Sequence, residues 1–165
     1  MLSCMEPDRK IRRLAAILFA DVVGYTRLMA ADEAGALAAL NRHREAEFNP
    51  AVAAHNGRIV KLMGDGALVE FASVVDAVDC ALAIQTSAAA SGPVMALRIG
   101  INLGDIILQG EDVYGDGVNI AARLEPLAAP GALPCPRWCT RSSATATGWR
   151  SATAARSRSR TLPAR

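Results

Sequence analysis

The sequence predicts an α+β domain in which an antiparallel sheet is covered by helices, a ferredoxin-like arrangement. Three observations lead there. Leu14 to Ala20 is a short, uninterrupted apolar run, as expected of a central strand buried on both faces. Gly64-Asp65-Gly66 joins two β-type segments as a hairpin turn. Segments with helical spacing fill the intervals, so the order reads strand, helices, hairpin, helix, strand, helix.

Each element follows from local pattern. Asp21 ends the first strand, and a helical pattern begins at Tyr25. Leu37, Leu40, Arg44 and Phe48 fall close to one helix face. Asn49-Pro50 is expected to interrupt that helix, because proline disfavours a helical residue before it. A second short helix runs to His55, and Asn56-Gly57 stops it. Arg58 to Met63 and Ala67 to Phe71 are the hairpin strands. Val74, Val78, Ala81, Leu82 and Gln85 mark the next helix, which Ser91-Gly92-Pro93 breaks. Met95 to Leu103 is a strand, with Asp105 to Leu108 continuing beyond Gly104. Gly110 to Gly117 reads as a turn-rich loop, and Val118 to Leu127 as a helix stopped by Pro130-Gly131.

Composition narrows the class. Hydrophobic residues make up 52% of the 165, ample for one core, but aromatics are only 4%, so Ala, Val, Leu and Ile must build it. No apolar run approaches the roughly 20 residues of a membrane span. Met1 to Arg13 is polar and basic, unlike a secretory leader. A cytoplasmic protein is expected, and Cys4, Cys80, Cys135 and Cys139 suit a reducing compartment. The acids all lie at or before Glu125, whereas the stretch from Pro126 on carries seven arginines and no acid. Residues 134–165 show neither the helical nor the strand period, so they are expected to be disordered, and no nucleic-acid or membrane partner is expected.

The chemistry-bearing candidates are few. Asp21 ends a buried strand in Phe19-Ala-Asp-Val-Val-Gly-Tyr-Thr26, and Asp65 sits at the hairpin tip in Lys61-Leu-Met-Gly-Asp65. Two acids on neighbouring strands repel unless a cation lies between them, and magnesium commonly takes one or two carboxylates plus substrate phosphates. Asp is also common at strand ends and in hairpin turns, so either residue alone has a purely structural explanation. Asn119 and Arg123 are four apart on one helix face, where an amide and a guanidinium together suit a phosphate. No Ser–His or Cys–His constellation is present, and His43 and His55 are read as surface residues.

Four stretches, Phe19 to Thr26, Lys61 to Phe71, Arg98 to Asp105 and Asp112 to Leu124, resemble in order those of the class III adenylate and guanylate cyclases, and the resemblance covers Arg12 to Gly131. It implies the cyclase fold over residues 12–131, incomplete at the C-terminus, with 132–165 a tail foreign to the family. It implies that Asp21 and Asp65, with the backbone carbonyl of Val22, hold two Mg2+ or Mn2+ ions per site. Gly24, Tyr25 and Thr26 would lie against the triphosphate of ATP. Lys61 and Asp112 would read adenine, where guanylate cyclases usually carry Glu and a small residue or Cys. Asn119 and Arg123 would act on the transition state. The implied reaction turns ATP into cyclic AMP and pyrophosphate at the interface of a homodimer, in intracellular signalling. The family continues past Ala-Pro-Gly131 with further strands and a triphosphate lysine, and a shifted reading frame would account for their replacement here. The alternative is a catalytically defective module that dimerises or binds nucleotide without turnover.

Overall fold

The computed structural model describes residues 11–90 and 95–131. The expected helix break at Ser91-Gly92-Pro93, the tail expected to be disordered, and Cys4, Cys135 and Cys139 lie outside the described residues.

The first strand, β1 (Ile11–Val22), is longer at both ends than its apolar run, because both of its edges are paired. Four helical segments follow: α1 (Tyr25–Ala31), α2 (Glu33–His43), a π turn (Arg44–Phe48) and α3 (Asn49–Ala54). Asp32 caps α2 by accepting from the Gly35 N–H at 2.9 Å. Asn49-Pro50 does not break the path as expected. The π turn runs into α3, and Pro50 falls in the first turn of α3, where its missing N–H needs no partner. Asn56, at φ 57°, ends this layer.

The hairpin of β2 (Arg58–Met63) and β3 (Gly66–Phe71) turns on Gly64 and Asp65, with Gly64 at φ 59°. Then come α4 (Val74–Ala90), β4 (Leu97–Gln109), β5 (Asp112–Tyr114) and α5 (Asp116–Leu124), which ends in a 3-10 turn over Glu125–Leu127. The loop expected over Gly110 to Gly117 is instead largely β5 and the first turn of α5. Beyond Gly104, β4 continues without a break.

The sheet order is β2-β3-β1-β4-β5, antiparallel throughout. The first four strands have the ferredoxin-like order, so that expectation holds. Strand alternation divides the core. Ala16, Leu18, Ala20, Val69, Phe71, Ile99 and Ile101 face one way, with Leu40, Val52, Ala77 and Ile84 of the helical layer. Ala15, Ile17, Leu68 and Ile106 face the other way, with Val113 of β5 and Ala121 of α5. Leu37, expected on the apolar helix face, is 49% exposed, whereas Leu40 and Phe48 are buried. Among the described residues no helix is long and apolar enough to cross a membrane.

Two glycines of β4 set the position of α5. A Cβ at Gly100 would stand 2.5 Å from the Glu125 nitrogen and 2.6 Å from the Ala121 carbonyl oxygen. One at Gly104 would stand 3.0 Å from the Gly117 Cα. The helix therefore rests on the strand backbone to backbone. The buried Asn102 amide lies between them and donates to the Gly117 carbonyl at 3.2 Å.

Candidate active site

Alternation along β1 puts Asp21 on the same sheet face as Ala15 and Ile17, the side that carries α5. Pairing of Ala20 with Ala67 brings the hairpin turn to the end of β1, and there the carboxyl groups of Asp21 and Asp65 meet, with a hydrogen bond between them when Asp21 is protonated. Burial, then the hydrogen bond and charge of Asp65, hold the Asp21 carboxyl up at about 6. The Val22 N–H and, opposite on β4, Arg98 pull the other way. The two acids that the sequence put forward are thus brought together as a half-buried pair.

Two residues beside them were not foreseen. Glu125, in the 3-10 turn after α5, is only 6% exposed, and burial followed by the charge of Asp21 raises its carboxyl above the usual range. Arg98 offsets part of that effect. The sequence signals were slight: a charged residue inside the apolar strand Leu97-Arg-Ile-Gly-Ile101, and an acid directly after the Arg123-Leu124 helix end. Among the described residues no group of three or more acids, His or Cys is arranged to hold a metal. The oxygen donors brought together here are the carboxyl groups of Asp21 and Asp65. An oxygen-only set of two carboxylates fits magnesium or manganese that completes its shell with phosphate and water.

Next to Asp21, Val22 is buried and pairs with Leu97. Gly24, at φ 70°, starts α1, whose first turn has no acidic residue and no side-chain cap. Tyr25 packs partly on the core, and Thr26 is exposed.

The remaining candidates lie on β2, β5 and α5. Lys61 is exposed on the edge strand β2 and paired with Leu68, beside a bulge between Ile59 and Lys61. Asp112 opens β5, half-buried, and accepts from the Tyr114 hydroxyl at 3.2 Å; its charge and this bond push the Tyr114 phenol upward. Asn119 and Arg123 both lie exposed on α5. The segments of Lys61 and Asp112 are tied together by Arg58. It donates to the buried Glu70 at 2.8 and 3.1 Å and to the Glu111 carbonyl at 3.0 Å, while Arg13 grips the other Glu70 oxygen.

His43 departs from expectation. It is 6% exposed, and burial lowers its pKa, so it is held neutral, with Glu47 at 3.6 Å. His55 is half-buried. Cys80 is buried and its thiol is pushed up to about 12, which excludes it as a nucleophile.

Comparison with known proteins agrees with this fold. Residues 10–138 match the adenylate and guanylate cyclase catalytic domain, and the chain belongs to that family. It is 49% identical over 128 residues to "Putative adenylate cyclase 3" of Rhizobium meliloti (strain 1021), covering 74% of this chain and 22% of that protein. To an adenylate cyclase of Streptomyces coelicolor it is 34% identical over 128 residues, with 78% and 34% covered. The chain therefore spans only about a fifth to a third of these relatives. Among solved structures, the adenylate/guanylate cyclase/hydrolase from Silicibacter pomeroyi superposes with a TM-score of 0.74 at 41% identity, covering 81% of each chain. The adenylyl cyclase CyaB from P. aeruginosa shares the fold at a TM-score of 0.68 and 24% identity, with 81% of each chain covered.

Proposed function

We propose that this cyclase domain is an adenylate cyclase that converts ATP to 3′,5′-cyclic AMP and pyrophosphate. The observation that carries this reading is the Asp21–Asp65 pair. A half-buried pair of hydrogen-bonded carboxylates, with Asp21 holding a proton at about pH 6, is a site in which a cation can replace that proton. Asp21, Asp65 and the Val22 carbonyl would hold two Mg2+ or Mn2+ ions. Bound there, such ions make the ribose 3′-hydroxyl more acidic and offset triphosphate charge.

The remaining roles belong to this chain's own groups. The uncapped first turn of α1, from Gly24 through Tyr25 to Thr26, receives the triphosphate with backbone N–H groups. Lys61 donates to adenine N1 and Asp112 accepts from its 6-amino group; guanine presents the opposite pattern. Asn119 orients the ribose and Arg123 stabilises charge on the α-phosphate as the O3′–P bond forms and the bond to pyrophosphate breaks. Asn119, Arg123 and Lys61 are exposed, which supports a site completed by a second copy of the chain, with acids from one protomer and these residues from the other. A cytoplasmic location, where ATP is abundant, belongs to the same reading.

The test is a cyclic-AMP assay with Mg2+ or Mn2+ across protein concentration. Turnover per chain should fall on dilution and be abolished by Asp21→Ala with the fold intact. ATP binding without product would instead favour a module that binds nucleotide and does not turn it over.

A further inference from the structure

We infer that Arg44 is a positioning residue for the Asp65 carboxylate, an inference that rests on the metal-binding reading above. One guanidinium nitrogen, Nη2, donates to the Gly64 carbonyl at 2.5 Å and to the Gly66 carbonyl at 3.3 Å. These are the residues on either side of Asp65. On its outer side the hairpin turn is open: a Cβ at Gly64 would find no atom within 4 Å. On its inner side, a Cβ at Gly66 would lie 3.6 Å from the Asp21 Oδ1. The guanidinium therefore ties down the two peptides that set where Asp65 stands relative to Asp21. Bonds from a charged donor to carbonyl oxygens are stronger than neutral ones, which suits a tether that must hold two acids together.

The placement of Arg44 is itself unusual. It lies at helical spacing from the buried Leu40 and Phe48, on the apolar face, where a charge costs free energy unless it has partners. It opens the π turn, a rare widening of the helix that recurs at functional sites. Its neighbour His43 is buried and held neutral, partly by the charge of Arg44, and contributes no competing positive charge. His43, Arg44, Asp65 and Val22 line one small cleft between the helical layer and the turn. The π turn thus carries a cation from the helical layer to the backbone that presents Asp65.

The experiment measures Mn2+ binding to the full chain by electron paramagnetic resonance, with 3′-deoxy-ATP present as a nucleotide that cannot cyclise. Wild type, Arg44→Met, Arg44→Lys and Asp65→Asn are compared, each corrected for its folded fraction. Arg44→Met should weaken Mn2+ binding about 10- to 100-fold, the range for residues that orient metal ligands. Arg44→Lys should fall between Met and wild type. In the cyclase assay the metal KM should rise while kcat recovers at saturating Mn2+. A Mn2+ affinity of Arg44→Met equal to wild type, while Asp65→Asn loses binding, would overturn the inference and leave the metal reading standing. Unchanged affinity in Asp65→Asn would overturn both. If Arg44→Met does not fold, Arg44→Lys decides, and binding indistinguishable from wild type counts against the inference.

Discussion

Asp21, at the end of β1, and Asp65, in the β2–β3 turn, bring their carboxyl groups into hydrogen-bonding contact, so Asp21 keeps its proton up to about pH 6. The Asp21 carboxyl is raised from 3.8 to about 6, so the folded chain binds more protons than the unfolded chain between those values. The stability of the metal-free protein should be greatest below the ordinary carboxylate range and decline as pH rises to about 6. Glu125 acts in the same direction. Melting temperatures in chelator from about pH 4 to about pH 7.5 check this. Asp65→Asn should flatten the decline. Divalent-ion affinity should run the opposite way, rising up to about pH 6 with protons released on binding, which calorimetry in buffers of different ionisation heat would detect.

Gly100→Ala tests the contact between β4 and α5. The new methyl would meet backbone atoms of Glu125 and Ala121, which cannot rotate away. A loss of about 1–3 kcal/mol is expected, the usual range for overpacking a filled interior. Because α5 must move to admit it, turnover should fall by more than the folded fraction does. Denaturant unfolding set beside specific activity separates the two effects.

Arg58→Met removes the bonds from β2 to Glu70 and to the Glu111 carbonyl. Glu70 is buried and keeps Arg13, so it is not left unpaired. The expected loss is about 1.5–3 kcal/mol, as for hydrogen bonds to a charged group. Chemical denaturation measures it, and an unchanged midpoint would show that Arg13 alone satisfies Glu70.

Changing Lys61 to Glu together with Asp112 to Cys reverses the hydrogen-bonding pattern offered to the purine. The ratio of kcat/KM for ATP over GTP should fall by tenfold or more, about 1.4 kcal/mol of discrimination. If that ratio is unchanged, these residues do not read the base.

The order of strands and helices was legible because the elements that define it are long or sharply punctuated. The apolar run of β1 and the Gly64-Asp65-Gly66 turn are examples. The acid pair was legible as two motifs, but its closeness came only from the register that sets Ala20 against Ala67. β5 escaped notice because three residues are too few to show a period, and its pairing with β4 comes from tertiary context. The π turn escaped because a pattern read at the α-helical period carries straight through it. His43 looked like a surface residue because helical spacing tells which residues share a face, not how deeply that face is covered. Glu70 lies in a β-type run, and its charge is paired across strands by residues far away in the chain, which no local pattern shows.

The seam where Gly100 and Gly104 meet α5 has a consequence for how this domain can vary over evolutionary time. A side-chain layer absorbs change, since a neighbour can turn or shrink when one residue grows. Here strand and helix have no such cushion, and β4 is in turn zipped to β1 from Ile11 through Val22. The end of β1, the strand β4 and the helix α5 therefore behave as a single cast part. Drift along that seam should be nearly silent in sequence. The opposite layer, where Leu40, Val52 and Ile84 interlock by side chains, is free to accumulate compensating exchanges.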